Sequence, residues 1–426
     1  MTDTIFALSS GSPPAAIAVV RISGPYAGEA LRALAGRLPE PRRASAVRLR
    51  DPADGALLDR ALALWLPGPD TATGEDVAEL HLHGGRAVVA AVEGALARVP
   101  GLRRAEAGAF TRRAFANGRI DLAEAEGLAD LLSAETELQR RSALAMASGV
   151  LSRVVEDWRL RVLLLSAAVE ATLDFADEDD VAGLPGGISP DCRKLADELG
   201  AWLKRPRAEI LREGYKVVIA GPPNAGKSTL FNALVGSEAA IATPIPGTTR
   251  DVLTRPVALE GVPFMFADTA GLRTDSEDPV ERIGIERALV ASNAADLVLW
   301  LGLASERPDG AWQLAPQCDR PDRKREFDPR HAVSALTGEG IDALRADLVT
   351  TAREAMPAPG AVALVERQHR LLDDCRAALA RAAVAYDPLI VAEHLRLARV
   401  ALDRLIGRSG TEDMLDALFG RFCIGK

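Results

Sequence analysis

Aromatic side chains are scarce in this 426-residue chain, at 4%, although 48% of its residues are hydrophobic and 26% are charged. Alanine and leucine supply most of the apolar content, which predicts a helix-rich globular protein with at least one sheet. No apolar run reaches 18 residues, and the opening MTDTI lacks the basic and apolar segments of an export signal. We therefore expect a cytoplasmic protein.

Cysteine is also rare. The four cysteines are far apart and form no CxxC pair: Cys192, Cys318, Cys375 and Cys423. This spacing argues against both a structural zinc site and a disulfide framework.

Dense basic blocks are missing as well, and the formal net charge is −9. Residues 1–118 contain fourteen arginines, no lysine and twelve acidic residues, which nearly balance. A protein that binds nucleic acid through bulk charge is thereby excluded. Any RNA contact would have to use a local surface or the surface of a partner.

Turn signals and apolar periodicity divide the chain into four segments. Residues 1–118 alternate short apolar runs, such as the predicted buried strand at 17–22, with Gly/Pro turns. Residues 119–212 and 358–426 repeat leucine and alanine at helical spacing. Residues 213–357 return to a strand pattern. We predict a multidomain α/β plus all-α protein, in which an α/β domain is inserted between the two segments of a discontinuous helical domain.

The sequence GPPNAGKS at 221–228 fits the pattern GxxxxGK[ST], and it lies between a predicted strand and a predicted helix. Backbone N–H groups of such a loop surround phosphate oxygens at a helix N-terminus. Lys227 would reach the β- and γ-phosphates, and the Ser228 hydroxyl would bind Mg²⁺. The inserted domain is therefore predicted to be a Ras-like P-loop G domain, which binds GTP.

Further segments extend this nucleotide site. GTTRD at 247–251 has the form of a first switch, with Thr249 as second Mg²⁺ ligand, and DTAG at 268–271 follows an apolar strand. Asp268 would hold Mg²⁺ through water, and the Gly271 N–H would contact the γ-phosphate. The residues predicted to bind the nucleotide are Asn224, Ala225, Gly226, Lys227, Ser228, Thr229, Thr243, Pro244, Ile245, Pro246, Gly247, Thr248, Thr249, Asp268, Thr269, Ala270, Gly271, Asp319, Ser334, Ala335 and Leu336.

The guanine-reading segment departs from the usual Asn-Lys-x-Asp. Its best match is Pro316, Gln317, Cys318 and Asp319, which keeps only the aspartate as an acceptor for guanine N1 and N2. Ser334, Ala335 and Leu336 have the form of the second base-side loop. The stretch between Trp300 and Asp319 is short, which predicts that a helix usual in this fold is absent there.

Several motifs together resemble the MnmE/TrmE family of bacterial tRNA-modification GTPases. They are LREGYKVVIAG before the phosphate loop, GTTRD, DTAGLR, VERIGIER at 280–287 and the final CIGK at 423–426. GEDV at 74–77 and HGG at 83–85 extend the resemblance to the N-terminal domain. It implies domains at 1–118 (N-terminal, folate-binding), 119–212 and 358–426 (helical) and 213–357 (G domain).

The resemblance implies that the N-terminal domain binds a tetrahydrofolate derivative, 5-formyl or 5,10-methylene, and forms a homodimer. The implied folate contacts are Arg21, Glu79, Arg119 (where the family usually has lysine) and Lys426. Cys423 is implied to be a nucleophile or proton relay, although a small buried packing residue is an equal alternative. His81 and His83 lie on one face of a strand and favour structural roles over metal ligation.

The resemblance also implies a K⁺ ion bound by Asn224, Thr243, Ile245 and Thr248, and a catalytic Glu281 that orients the attacking water. From the residues alone, Asn224 could be an ordinary turn residue and Glu281 a solvated acid. A cation near the β/γ bridge would neutralise developing charge, as an arginine finger does elsewhere.

The function implied is GTP hydrolysis coupled to tRNA modification. With FAD-dependent MnmG, in a heterotetramer, the protein would form an aminomethyl or 5-carboxymethylaminomethyl group on the wobble uridine (U34) of certain tRNAs. The alternatives are a ribosome-assembly GTPase of the Era/Der type, against which the acidic helical segments argue, and a folate-binding regulator that uses the GTPase as a timer.

Overall fold

The computed structural model describes residues 3–174, 184, 186–222, 224–236, 253–268, 295–320, 329–409 and 412–426. They fall into two compact units, Met1–Ala129 with Leu402–Lys426, and Asp130–Ala401. In these ranges no helix is both long enough and apolar enough to cross a membrane.

A six-stranded mixed sheet forms the first unit, with strand order β3-β4-β5-β2-β1-β6. Neighbouring strands are antiparallel except the β1–β6 pair. The strands are β1 (Thr4–Leu8), β2 (Ile17–Ser23), β3 (Ser45–Arg50), β4 (Leu57–Leu66), β5 (Val77–His83) and β6 (Leu102–Arg104). Three helices accompany them: α1 (Ala27–Ala35), α2 (Arg86–Ala97) and α3 (Ala109–Ala116).

Buried and exposed side chains alternate along the strands, so one face of this sheet packs into the main core. In β4, Ala61, Ala63 and Trp65 are buried, whereas Leu62 between them is exposed. The strand predicted at 17–22 is confirmed as β2, but it is not buried along both faces, because Ile17 is 59% exposed and burial alternates along the strand. The opposite face of the sheet is therefore partly open to solvent.

The long periodic stretch after residue 119 forms helices, as predicted. They are α4 (Leu122–Ser133), α5 (Glu137–Ala147), α6 (Val150–Asp174), α7 (Ile188–Leu203) and α8 (Ala208–Glu213). A capping box starts α5: the Thr136 hydroxyl accepts from the Gln139 backbone N–H, and the Gln139 side chain accepts from the Thr136 N–H. Helix α6 buries Val155, Trp158 and Val162 on one face.

A second six-stranded sheet lies in the inserted G domain, with strand order β12-β11-β10-β7-β9-β8. Only the β8–β9 pair is antiparallel. Its elements are β7 (Tyr215–Ala220), α9 (Lys227–Val235), β8 (Leu253–Leu259), β9 (Val262–Asp268), β10 (Leu297–Trp300), β11 (Trp312–Pro316), β12 (His331–Val333) and α10 (Ile341–Ala355). Between β10 and β11 the chain forms only the 3-10 turn Ala304–Glu306, which confirms the predicted absence of a helix there.

Three helices complete the chain: α11 (Glu366–Ala382), α12 (Pro388–Leu405) and α13 (Glu412–Phe419). In α13, Phe419 is buried in a cluster that Leu415 and Leu418 also join, as its apolar face predicts. The helical domain is thus discontinuous, with the G domain inserted into it. The four domain boundaries drawn from the sequence stay a prediction.

Candidate nucleotide and N-terminal sites

The glycine loop at 221–228 leaves β7 at the centre of the second sheet, where parallel strands present their carboxyl ends. Gly221 has φ +148°, and a Cβ there would lie 3.1 Å from Cβ of Leu301, so the position requires glycine. Asn224 (φ +61°) and Gly226 (φ +96°) also adopt left-handed backbone conformations. Because α9 begins at Lys227, first-turn N–H groups lie at the loop and can bind an anion.

Lys227 lies at this loop. Its Nζ donates to the backbone carbonyls of Gly221 and Pro222, at 2.9 Å each. Ser228 and Thr229 are exposed on the first turn of α9, and Ala225 is buried beneath the loop. The arrangement places the Lys227 ammonium, backbone donors and the exposed Ser228 hydroxyl where a polyphosphate and a divalent cation need them.

The predicted base-side segments follow β11 and β12, which are two and three strands away from β7 in the sheet. Asp319 is exposed after the end of β11, and Ser334 follows β12 with only 1% exposure. The Ser334 hydroxyl accepts from the Thr337 N–H at 3.2 Å, which fixes the loop that carries Ala335 and Leu336. Leu336 is 84% exposed. Each segment therefore follows the end of a strand, and their contact with the base stays a prediction.

Gln317 lies close to the phosphate loop, a contact that sequence reasoning missed. Its Nε2 lies 3.6 Å from the position that a Cβ on Gly226 would occupy, so its side chain reaches the phosphate loop. Gln317 also has φ +60°, an uncommon conformation for a non-glycine residue. The only signal in the sequence was its place in the degenerate motif, where a lysine is usual.

Part of the predicted nucleotide site lies outside the described residues. This applies to Thr243, Pro244, Ile245, Pro246, Gly247, Thr248, Thr249, Thr269, Ala270, Gly271 and Glu281, and to the side chain of Asp268. Their roles stay predictions from the sequence.

We expect Asp319→Ala to abolish the preference for GTP over ATP. The degenerate motif leaves one carboxylate to accept from both guanine N1 and N2, so its removal takes away the hydrogen bonds by which this motif distinguishes guanine from adenine. Competition of ATP and XTP against labelled GTP measures the preference. A mutant that still prefers GTP as strongly as the wild type would show that another segment reads the base.

In the first unit, Arg21 on β2 and Glu79 on β5 lie directly opposite each other. Arg21 Nη2 and Glu79 Oε1 are 2.9 Å apart. His81 Nε2 lies 3.4 Å from the other oxygen of Glu79, and the Arg21 guanidinium stands 5.8 Å from the Phe110 ring centroid. The structure therefore brings two of the predicted folate residues together.

The final residues are anchored next to these strands. The Ser9 hydroxyl donates to the Gly425 carbonyl at 2.8 Å, and the Phe110 N–H donates to the Lys426 carbonyl at 3.2 Å. Lys426 is thereby tied to the residue whose ring faces Arg21. Cys423 is exposed, so the alternative that it is a buried packing residue is wrong.

Arg119 lies at the loop before β5, where its Nη1 is 3.6 Å from Asp70 Oδ1. Arg113, which sequence reasoning missed, supports this loop. It is 1% exposed and donates to the carbonyls of Asp3 and Ser23 and to the carboxylate of Glu75. A buried guanidinium needs such partners, so Arg113 fixes the loop in place.

A lysine-bearing glycine loop at the centre of a mostly parallel sheet, with predicted base-side loops after β11 and β12, defines a P-loop nucleotide-binding protein of the GTPase class. Comparison with known proteins adds the family. Residues 4–119 match the family described as GTP-binding protein TrmE N-terminus, and residues 122–423 match the MnmE helical domain.

The chain is 63% identical to the tRNA modification GTPase MnmE of Novosphingobium aromaticivorans and 63% identical to that of Erythrobacter litoralis, and each alignment covers 100% of both chains. It is 59% identical to MnmE of Rhizorhabdus wittichii, over 100% of this chain and 97% of that protein. The chain therefore belongs to the MnmE family of tRNA-modification GTPases.

Proposed function

We propose that this protein hydrolyses GTP at the 221–228 loop and uses the hydrolysis cycle in modifying the wobble uridine of certain tRNAs. The observation that carries the first part is Lys227, whose ammonium is held at the loop by the carbonyls of Gly221 and Pro222, with the exposed Ser228 next in the chain. The relatives, all named tRNA modification GTPase MnmE, support the second part.

The metal ions proposed for this site are Mg²⁺ and K⁺. Ser228 and Thr249 would bind Mg²⁺, which neutralises the charge of the β- and γ-phosphates. Asn224, with Thr243, Ile245 and Thr248, would bind K⁺. The exposed Asn224 at the turn of the loop fits this, because an amide oxygen is a suitable ligand for a hard cation. Glu281 would orient the attacking water.

GTP hydrolysis is expected to depend on K⁺ and to be much slower in Na⁺. The reason is that the ligands proposed for the cation at the phosphate loop are matched to the size of K⁺ and not to the smaller Na⁺. Steady-state rates in KCl and NaCl at equal ionic strength measure the effect, with choline chloride as the control for charge screening. Equal rates in the two alkali salts would contradict the assignment.

In the N-terminal unit we propose a site for a tetrahydrofolate derivative, in the 5-formyl or 5,10-methylene form. The paired Arg21 and Glu79 would form its polar floor, and Lys426, whose backbone carbonyl accepts from the Phe110 N–H, would add an ammonium. Arg119 would contribute a further charge from the neighbouring loop. The guanidinium and ammonium groups suit the carboxylates of a folate.

The proposed assembly is a homodimer that works with MnmG and tRNA. A strain that lacks the gene tests the whole proposal by mass spectrometry of nucleosides from its tRNA. We expect loss of the modified wobble uridine, restored by the wild-type gene. Normal modification with a defect in ribosomal subunits would instead favour an assembly GTPase of the Era/Der type.

A further inference from the structure

A cleft of about 540 Å³ opens on the outward face of the N-terminal sheet. Its lining combines apolar and basic side chains. Ile17 and Leu62 are its large exposed apolar residues, and Arg48 and Arg60 are its two arginines. Neither the nucleotide site nor the proposed folate contacts include these four residues.

Arg48 on β3 and Arg60 on β4 are register partners and point to the same exposed face. Side chains in directly opposite positions of an antiparallel pair have Cβ atoms roughly 4.5–5.5 Å apart, and like charges there destabilise the sheet. In the part of the chain that the structure describes, neither guanidinium has a hydrogen-bond or ion-pair partner. By contrast, Arg50 on the same strand donates to the Gly55 carbonyl at 2.9 Å.

His83, which lines the cleft, is hydrogen-bonded to the buried carboxylate of Asp59. Asp59 Oδ1 lies 2.7 Å from His83 Nδ1, and Asp59 Oδ2 accepts from the His83 N–H at 2.9 Å. Asp59 Oδ1 also accepts from the Arg60 backbone N–H at 2.7 Å, and the residue is turned to the buried side of β4. The carboxylate of Asp59 is thus occupied by His83 and the Arg60 backbone, and among the described residues it pairs with neither guanidinium.

We propose that Arg48 and Arg60 form a binding site for an organic dianion, whose oxygens accept from both guanidiniums while its apolar body covers Ile17 and Leu62. Two arginines side by side can together hold two carboxylates or one phosphate, with charge-assisted hydrogen bonds. The ligand relieves the repulsion between the arginines, which accounts for like charges at opposite positions. This site goes beyond the proposed GTPase and folate contacts.

Two small probes carry this chemistry: phenylsuccinate, with two carboxylates, and phenyl phosphate. Titration calorimetry of the full chain without nucleotide measures their binding. We expect one or both to bind, and we expect Arg48→Gln and Arg60→Gln each to weaken binding about tenfold, as loss of a charged hydrogen bond does. Binding of phenylsuccinate alone assigns a carboxylate ligand, and binding of phenyl phosphate alone assigns a phosphate ligand.

Arg50→Gln is the matched control, because it removes the same charge from the same strand outside the cleft. Its probe affinity should equal that of the wild type. Thermal unfolding adds a second readout: without ligand, Arg48→Gln and Arg60→Gln should melt no lower than the wild type, because each removes a repulsion. A purely structural role of the arginines would lower the melting temperature.

Three outcomes would overturn the proposal. The first is that the wild type binds neither probe at millimolar concentration, and the second is that Arg50→Gln weakens binding as much as the cleft variants do. The third is that the cleft variants change the mass of the protein in light scattering while probe binding is unaltered, in which case the arginines pair with acids of a second copy. GTP hydrolysis is measured separately, so its absence would count against the proposed function and not against this site.

Discussion

Lys227→Ala is expected to lower the turnover number for GTP by roughly 10²–10³, the usual cost of removing one preorganised donor from a developing negative charge. The ammonium is already positioned at the loop by the carbonyls of Gly221 and Pro222, at 2.9 Å each. It therefore needs little reorganisation to meet the β- and γ-phosphates. Single-turnover hydrolysis at saturating GTP separates this loss from weakened binding.

Lys216→Ala provides the control for Lys227→Ala. Lys216 lies on β7, the strand that leads into the loop, but its ammonium pairs with Glu213 instead of facing the loop. Removing an exposed ion pair of this kind changes stability by about 0–1 kcal/mol. Turnover by Lys216→Ala should stay close to the wild type. If both lysine variants retain wild-type rates, the phosphate-loop assignment is wrong.

Local sequence signals predicted the G domain well. The run KVVIA followed by GPPNAGKS requires a buried strand that opens into a glycine loop and a helix, and β7 and α9 lie there. The short span before Asp319 likewise predicted that no helix forms between β10 and β11. These features depend on neighbours in the chain, so one sequence was enough to find them.

Features that depend on contacts between distant residues were not predictable in the same way. Gln317 approaches Gly226 across 91 positions of the chain, and nothing in the local sequence indicates that contact. In the sequence, Arg113 is one of several arginines in a helical stretch. Its partners Asp3 and Glu75 come from distant segments of the chain. The pair Arg48 and Arg60 appears only once the register of β3 and β4 is known.

The N-terminal site shows how a resemblance and a structure complement each other. The resemblance implied Arg21, Glu79 and Lys426, which are far apart in the chain. The sheet register places Arg21 opposite Glu79, and the hydrogen bond from Phe110 brings Lys426 to the same helix that faces Arg21. The folate itself stays a proposal, and the anchoring of the last residues offers the sharpest way to test it.

Deletion of residues 423–426 is expected to abolish tRNA modification while GTP hydrolysis continues. The tail would contribute Cys423 and Lys426 to the proposed folate site, whereas the 221–228 loop belongs to the other compact unit. Nucleoside analysis of tRNA from a complemented deletion strain measures the first activity, and phosphate release by the purified protein measures the second. Loss of GTP hydrolysis with normal modification would contradict this division of labour.

Gly425→Ala is a finer version of the same test, because it keeps every functional group of the tail. Gly425 has φ +94°, and a Cβ there would lie 2.0 Å from the Leu8 carbonyl oxygen, so alanine must displace the tail. Gly36→Ala is the matched control: it has φ +75° in the same unit, but its added Cβ meets no atom within 4 Å. Both variants carry the backbone strain, and only Gly425→Ala moves Lys426. We expect Gly425→Ala to reduce modification at least about tenfold relative to Gly36→Ala, a factor equivalent to about 1.4 kcal/mol. Equal modification by the two variants would show that the position of the tail does not matter for the reaction.

Cys423→Ser then separates the roles within the tail. The exposed thiol should be indispensable if it is a nucleophile, and replaceable if only Lys426 contributes.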